Sequence, residues 1–193
     1  MFKCEKHDRL LGSEEMHQHI ILLYKKKKNL HEKLYEFFEE GIKNSERCVL
    51  LTTENDANDV YEKLKERTEP VKVTKYFSYY SIPDPTKSPK EFEEKMGTLQ
   101  NVIFRKEFQG RIGFNVLGDM TRFTRESEKM IEQAENYLEV IKGNNLKILC
   151  SLKIPDEDLS KKTMFKMMLK THDQVIFEKE DSSFTEISLE EKD

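Results

Sequence analysis

Short apolar runs alternate with amphipathic helical stripes along most of this chain, and that alternation limits the possible folds more than any other feature. His19–Tyr24 is an apolar run consistent with a buried strand. Leu30, Leu34, Phe37, Phe38 and Ile42 follow at helical spacing, with Gly41 near the helix end. Arg47–Thr53, centred on Val49-Leu50-Leu51, reads as a second strand. Asn55 or Asp56 can cap the next helix, whose stripe is Ala57, Val60, Tyr61 and Leu64. Pro70 is expected to stop it, with Val71 and Val73 opening a third, half-buried strand. Ser78–Lys87 carries two of the five prolines and reads as a loop.

The second half repeats the pattern. Ser88-Pro89-Lys90-Glu91 places Ser at the N-cap, Pro at N1 and Glu at N3, which is a capping box, and Phe92, Met96, Leu99 and Ile103 form the stripe behind it. Ile112–Leu117 reads as a fourth strand ending at Gly118-Asp119. A long helix follows on Ser127, Met130, Ile131, Ala134, Leu138 and Ile141, closed by Gly143. Lys147–Ile154 is a fifth strand, Ser160 can cap a helix carrying Met164, Phe165, Met168 and Leu169, and Gln174–Phe177 is a sixth short strand. Strands separated by helices imply right-handed crossovers. The expected fold is therefore α/β, a mostly parallel central sheet of about six strands with helices on both faces. Ligands of such sheets bind beyond the C-terminal ends of the strands. That rule nominates Tyr24, Glu54, Tyr79, Asp119 and Arg122 as residues lining a pocket.

Charge separates the chain into a body and an end. The 193 residues are 36% charged, yet 33 Lys+Arg nearly cancel 37 Asp+Glu, and 12 Phe and 7 Tyr supply apolar area for a core. From Glu178 onward the net charge is −5, which leaves the rest at +1. Residues 1–16 are accordingly expected to be an N-terminal arm, 17–178 the α/β domain and 179–193 a solvated acidic C-terminal tail. The longest purely apolar run, Ile20–Tyr24, has five residues, far short of the ~20 that span a bilayer. Met1-Phe2-Lys3-Cys4 has no apolar h-region, and three cysteines cannot form a full disulfide set. The expectation is a cytoplasmic protein that binds no membrane and, with no basic stripe along the chain, no nucleic acid directly.

Catalytic motifs are missing. A P-loop needs glycines whose backbone amides approach phosphates, then a Lys followed by Ser or Thr. The seven glycines lie at 12, 41, 97, 110, 113, 118 and 143, none of them in the first strand-to-helix turn. That turn holds Lys25-Lys26-Lys27-Lys28. It reads either as a solvated turn or as cations that help a helix N-terminus hold an anion. Asp119 reads as a capping or turn residue, as a buried partner of Arg111 or Arg122, or as the Mg²⁺-holding carboxylate of a RecA-like ATPase. Cys4-x-x-His7 and His17-x-His19 are Zn²⁺ ligand types at no recognised zinc spacing. Cys150, in a buried-strand pattern, reads as a small inert hydrophobe, and His172 as a residue that interacts with the C-terminal end of a helix. No cofactor, metal or catalytic residue is assigned on this reading.

A resemblance runs through the same residues in order. His19-x4-Tyr24, Phe37-Phe38-x2-Gly41-Ile42 and Glu46-Arg47-Cys48-Val49-Leu50 come first. Arg111, Gly118-Asp119-Met120, Glu135, Leu149-Cys150, and His172 with Val175-Ile176 complete the set. Together they resemble the MEDS family, the methanogen/methylotroph DcmR sensory domain, over about residues 17–178. That family in turn is similar to RecA/KaiC-type ATPase cores that have lost the nucleotide cradle. The resemblance implies a RecA/KaiC-like three-layer sandwich and a non-catalytic sensory or regulatory role. It implies binding of a small-molecule ligand such as an organic compound, with signalling to a histidine kinase or transcription regulator; since only the acidic tail follows Phe177, that signalling is expected to act in trans. The alternative reading is a degenerate RecA/KaiC-like nucleotide-binding or assembly protein with little or no hydrolysis, which would form a homo-oligomer.

Overall fold

The structure, a computed structural model, describes residues 18–52, 54–103, 109–115, 146–154 and 163–189, with the single positions 125, 128, 129, 131–133, 135 and 136. In chain order the elements are β1 (Gln18–Tyr24), α1 (Lys27–Lys43), β2 (Arg47–Thr52), α2 (Glu54–Arg67), α3 (Pro70–Tyr76) and β3 (Phe77–Ser81), then α4 (Pro89–Ile103), β4 (Gly110–Asn115), β5 (Leu146–Lys153), α5 (Thr163–Thr171), β6 (Gln174–Glu178) and β7 (Phe184–Ser188). The described positions between 125 and 136 are helical as well.

The strands form one sheet in the order β3-β2-β4-β5-β1-β6-β7. Every pairing is parallel except β6 with β7. β1 lies between β5 and β6, with Ile21 opposite Cys150 on one side and Val175 on the other. Alternation along each strand sends side chains to two separate cores. On one face Ile21, Leu23, Ile112, Phe114, Ile148 and Leu152 pack with Phe92 and Met96 of α4 and Met168 of α5. On the other, Ile20, Leu22, Leu50 and Leu149 pack with Leu34, Phe37 and Phe38 of α1 and with Val60 and Leu64 of α2. Each such side chain, buried completely, contributes about 1.5–3 kcal/mol, which is why the strands read as continuous apolar runs.

Two glycines are required by close approach. Gly110 has φ +141°, and a Cβ there would meet the Arg47 carbonyl oxygen at 2.0 Å. A Cβ on Gly41 would lie 2.6 Å from Cys48 Sγ and 2.8 Å from Arg111 Cδ. The space left by Gly41 admits the Arg111 side chain, fully buried under α1. Its Nε donates to Glu46 Oε2 at 2.6 Å and one terminal nitrogen donates to the Phe37 carbonyl at 3.0 Å. Arg111 therefore pairs with Glu46; Asp119, the partner considered from the sequence, lies outside the described residues.

Three expectations change. Val71 and Val73 do not begin a strand. Pro70 sits in the first turn of α3, where its missing N–H costs nothing, and the Glu69 carbonyl accepts the amides of Lys72 and Val73. Val73 is buried while Val71 is 79% exposed, so their spacing was never a strand alternation. The third strand is instead Phe77–Ser81, of which Ser78–Ser81 were expected in a loop. Finally, the sheet has seven strands, because residues 184–188, expected in a solvated tail, pair antiparallel with β6. Ser182 at φ +64° and the Asp181 carboxylate, which accepts the Ser183 amide and hydroxyl, turn the chain back. Phe184, Ile187 and Leu189 are each partly buried. The charge count concealed those apolar positions.

Candidate functional site

The turn between β1 and α1 receives a carboxylate from the end of β6. Glu178, the last residue of β6, projects its carboxylate into the turn. Oε2 accepts the backbone amides of Lys25 at 2.7 Å and Lys26 at 3.1 Å, and Oε1 accepts Asn29 Nδ2 at 2.6 Å. The reason lies in α1, which has no side-chain N-cap and no acid in its first turn, only lysines. Cations at a helix N-terminus oppose the helix dipole, so an anion drawn from a neighbouring strand is favourable there. Burial works to raise the Glu178 pKa, but the two amides, Asn29 and the Lys26 charge outweigh it and hold the carboxyl below its ordinary value. Around it Lys25 Nζ pairs with Glu180, Lys26 Nζ donates to Ser182 Oγ at 2.9 Å, and Lys27 Nζ pairs with Asp56. Lys28 is exposed. Among the described residues, the carboxylates near these lysines come from β6, the turn after it and α2.

The C-terminal ends of the central strands carry a second polar group. Thr52 on β2, Asn115 on β4 and Ser151 on β5 are all buried. Ser151 Oγ donates to Asn115 Oδ1 at 2.7 Å, and Asn115 Nδ2 donates to Thr52 Oγ1 at 3.3 Å. They form a linked hydrogen-bonding floor across three adjacent strands.

Of the pocket residues nominated from the sequence, the two whose side chains are described, Tyr24 and Tyr79, stand apart from each other. Tyr24 is buried in the core beneath α1. Tyr79 is 38% exposed on the edge strand β3, and its hydroxyl donates to Asn58 Oδ1 at 2.6 Å. Four strand spacings separate β3 from β1; at about 4.8 Å each, the two tyrosines stand about 19 Å apart. Glu54 starts α2, and its side chain, like all of Asp119 and Arg122, lies outside the described residues.

A third group was missed by spacing in the sequence. His19, Glu135, Cys150 and His172 converge on the α5 face of the sheet, near the N-terminal end of β1, and their candidate donor atoms all lie within 4.8 Å of one another. His19 Nε2 is 3.3 Å from Cys150 Sγ and 3.4 Å from Glu135 Oε2. His172 Nε2 is 3.7 Å from the same carboxylate oxygen. The two imidazole centroids are 3.9 Å apart. No residue of the four is more than 4% exposed. His172 Nδ1 is 2.6 Å from the Met168 carbonyl, which can only accept, so Nδ1 donates there and Nε2 faces the group. Asp173 fixes His19 in turn: its carboxylate accepts the His19 amide at 2.8 Å and its own amide donates to the His19 carbonyl at 2.8 Å. The Leu189 amide, just past β7, donates to the Asp173 carbonyl at 2.7 Å. Cys4, His7 and His17, considered with His19 as ligand types, lie outside the described residues. All four clustered residues belong to the motif set that carries the family resemblance, which was the available signal for them.

The family profile described as "MEDS: MEthanogen/methylotroph, DcmR Sensory domain" matches residues 18–172. No curated protein matches the chain. The crystal structure of the RadB recombinase is similar over 83% of this chain and 74% of that one, with a TM-score of 0.55 and 10% sequence identity. At that identity the likeness is one of fold, a RecA-like three-layer α/β core. Among the described residues no helix is long and apolar enough to cross a membrane.

Proposed function

This chain belongs to the MEDS family of sensory domains, and from that premise we propose that it is a non-catalytic sensor that binds a small organic compound and signals to a histidine kinase or transcription regulator. The observation that carries the reading is the Glu178 carboxylate on the amides of Lys25 and Lys26. Those amides are the groups an ATPase of this architecture would turn toward phosphate. A nucleotide would have to displace an anion already tethered to the next strand. A scaffold in that state recognises ligands without gripping a triphosphate. Thr52, Asn115 and Ser151 supply polar groups at the strand ends, where ligands of open α/β sheets bind.

Thermal shift measurements with a panel of small organic compounds and with Mg²⁺-ATP test the reading. A stabilising ligand at about 100 times its Kd adds about 2.7 kcal/mol. The expected outcome is a stabilising organic compound whose effect falls in Asn115→Ala, and no response to ATP. ATP hydrolysis, or ATP stabilisation abolished by replacing Lys25–Lys28 with Ala, would overturn the proposal in favour of a residual nucleotide site.

A further inference from the structure

We propose that His19, Glu135, Cys150 and His172 form a binding site for a single Zn²⁺ ion. The inference stands apart from the small-ligand reading above and concerns the opposite end of β1.

The spacing of the donors supports it. Tetrahedral Zn²⁺ holds N and O donors at about 2.0–2.1 Å and S at about 2.3 Å, which sets donors about 3.3–3.6 Å from one another. The three separations of 3.3, 3.4 and 3.7 Å fall on or next to that range. The donor types agree: one thiol, two imidazoles and a carboxylate are all Zn²⁺ ligands. Charge agrees as well. Zn²⁺ with one thiolate and one carboxylate is neutral overall, which suits a group surrounded by the apolar core of the α5 face.

The support around the donors is that of a metal centre. A ligating imidazole commonly donates its second ring N–H to a carbonyl or carboxylate, which aims the other nitrogen at the ion. His172 does this through Met168. His19 is held by a two-way backbone and carboxylate exchange with Asp173, the residue after His172. The ion would join β1, β5, the helical segment bearing Glu135 and the α5–β6 junction.

The test uses the full chain without a polyhistidine tag, stripped with a chelator and reloaded with Zn²⁺ or Co²⁺ alone. Elemental analysis is expected to find about one Zn²⁺ per chain. Zn²⁺ at 100 times its Kd is expected to raise the Tm of the stripped protein by roughly 5–10 °C. Co²⁺ should give the intense visible bands of a tetrahedral site and a thiolate-to-cobalt charge-transfer band. Cys150→Ser should abolish that band, and His172→Gln should weaken Zn²⁺ binding by roughly 100-fold or more. Cys4→Ser should change neither. A folded wild-type chain that takes up no stoichiometric Zn²⁺, or a Co²⁺ spectrum without the thiolate band, overturns the proposal even if the variants do not fold. So does metal uptake lost in Cys4→Ser and kept in Cys150→Ser. None of these outcomes involves an organic ligand, so the sensory reading stands or falls separately.

Discussion

Glu178 Oε2 accepts the Lys25 amide at 2.7 Å across the β1–β6 boundary, so the end of β6 is tied to the turn after β1 through a carboxylate. Its strength depends on pH. The folded-state pKa of Glu178 lies below the ordinary 4.5. A depressed carboxyl contributes fully above the unfolded value and loses its contribution as pH falls through the folded one. Urea unfolding between pH 7 and pH 3 is therefore expected to show a loss of stability in the acid range that is smaller in Glu178→Gln. At pH 7 the same substitution should cost about 1.5–3 kcal/mol.

The pair of Arg111 and Glu46 predicts an asymmetry. Removing one member of a buried pair costs about 3–5 kcal/mol, whereas replacing the charge itself with a well-packed apolar side chain is often neutral. Glu46→Ala, which takes a partly exposed carboxylate from a fully buried guanidinium, is expected to cost about 3 kcal/mol or somewhat less. Adding Arg111→Met to it should recover part of the loss. Equal or worse stability of the double variant in chemical denaturation would contradict the assignment.

Space under α1 is equally testable. Gly41→Ala sets a methyl group against Cys48 Sγ and Arg111 Cδ, and overpacking of this kind costs about 1–3 kcal/mol. Cys48→Ala removes the sulfur and should restore part of the stability, a coupling that a double-mutant cycle measures.

The Cys48 thiol itself should be silent. Burial pushes its pKa up from 9.0 to about 12, with the Arg111 charge opposing and the Glu46 charge adding to the rise. Three units correspond to about a thousandfold less thiolate near neutral pH. Alkylation located by mass spectrometry should reach Cys48 only as the protein unfolds, following the urea transition.

Ending the chain before Phe184 checks the seventh strand. Loss of β7 removes the partly buried Phe184, Ile187 and Leu189 and the ladder to β6. The truncated protein should be less stable by about 2–4 kcal/mol. A solvated tail would leave the transition where it is.

Much of the architecture was legible because the strands are buried on both faces. Ile20–Tyr24 and Val49–Leu51 are unbroken apolar runs, and α1 carries a clean stripe, so their identity needed no tertiary information. The third strand was misplaced because one proline fits both a helix stop and a helix start, and only the burial of Val73 without Val71 separates them. The seventh was hidden because it is short, lies among acidic residues and pairs with a single strand. The four-donor cluster could not be read from spacing at all. Its members lie at 19, 135, 150 and 172, and they meet only because β1 inserts between β5 and β6. Cys4, His7 and His17 drew attention as neighbours in sequence, whereas the partners of His19 come from more than a hundred residues away. The Glu178 contact was concealed in the same way, since its carboxylate meets a turn that precedes it by some 150 residues.

The amide of Leu189 holds the carbonyl of Asp173, whose other polar groups grip His19. The rim of the sheet and its interior are in that sense mechanically continuous. A protein that peeled away or extended this outermost ribbon would pull on the peptide next to His172, and a rearrangement among the interior imidazoles would be felt at the rim.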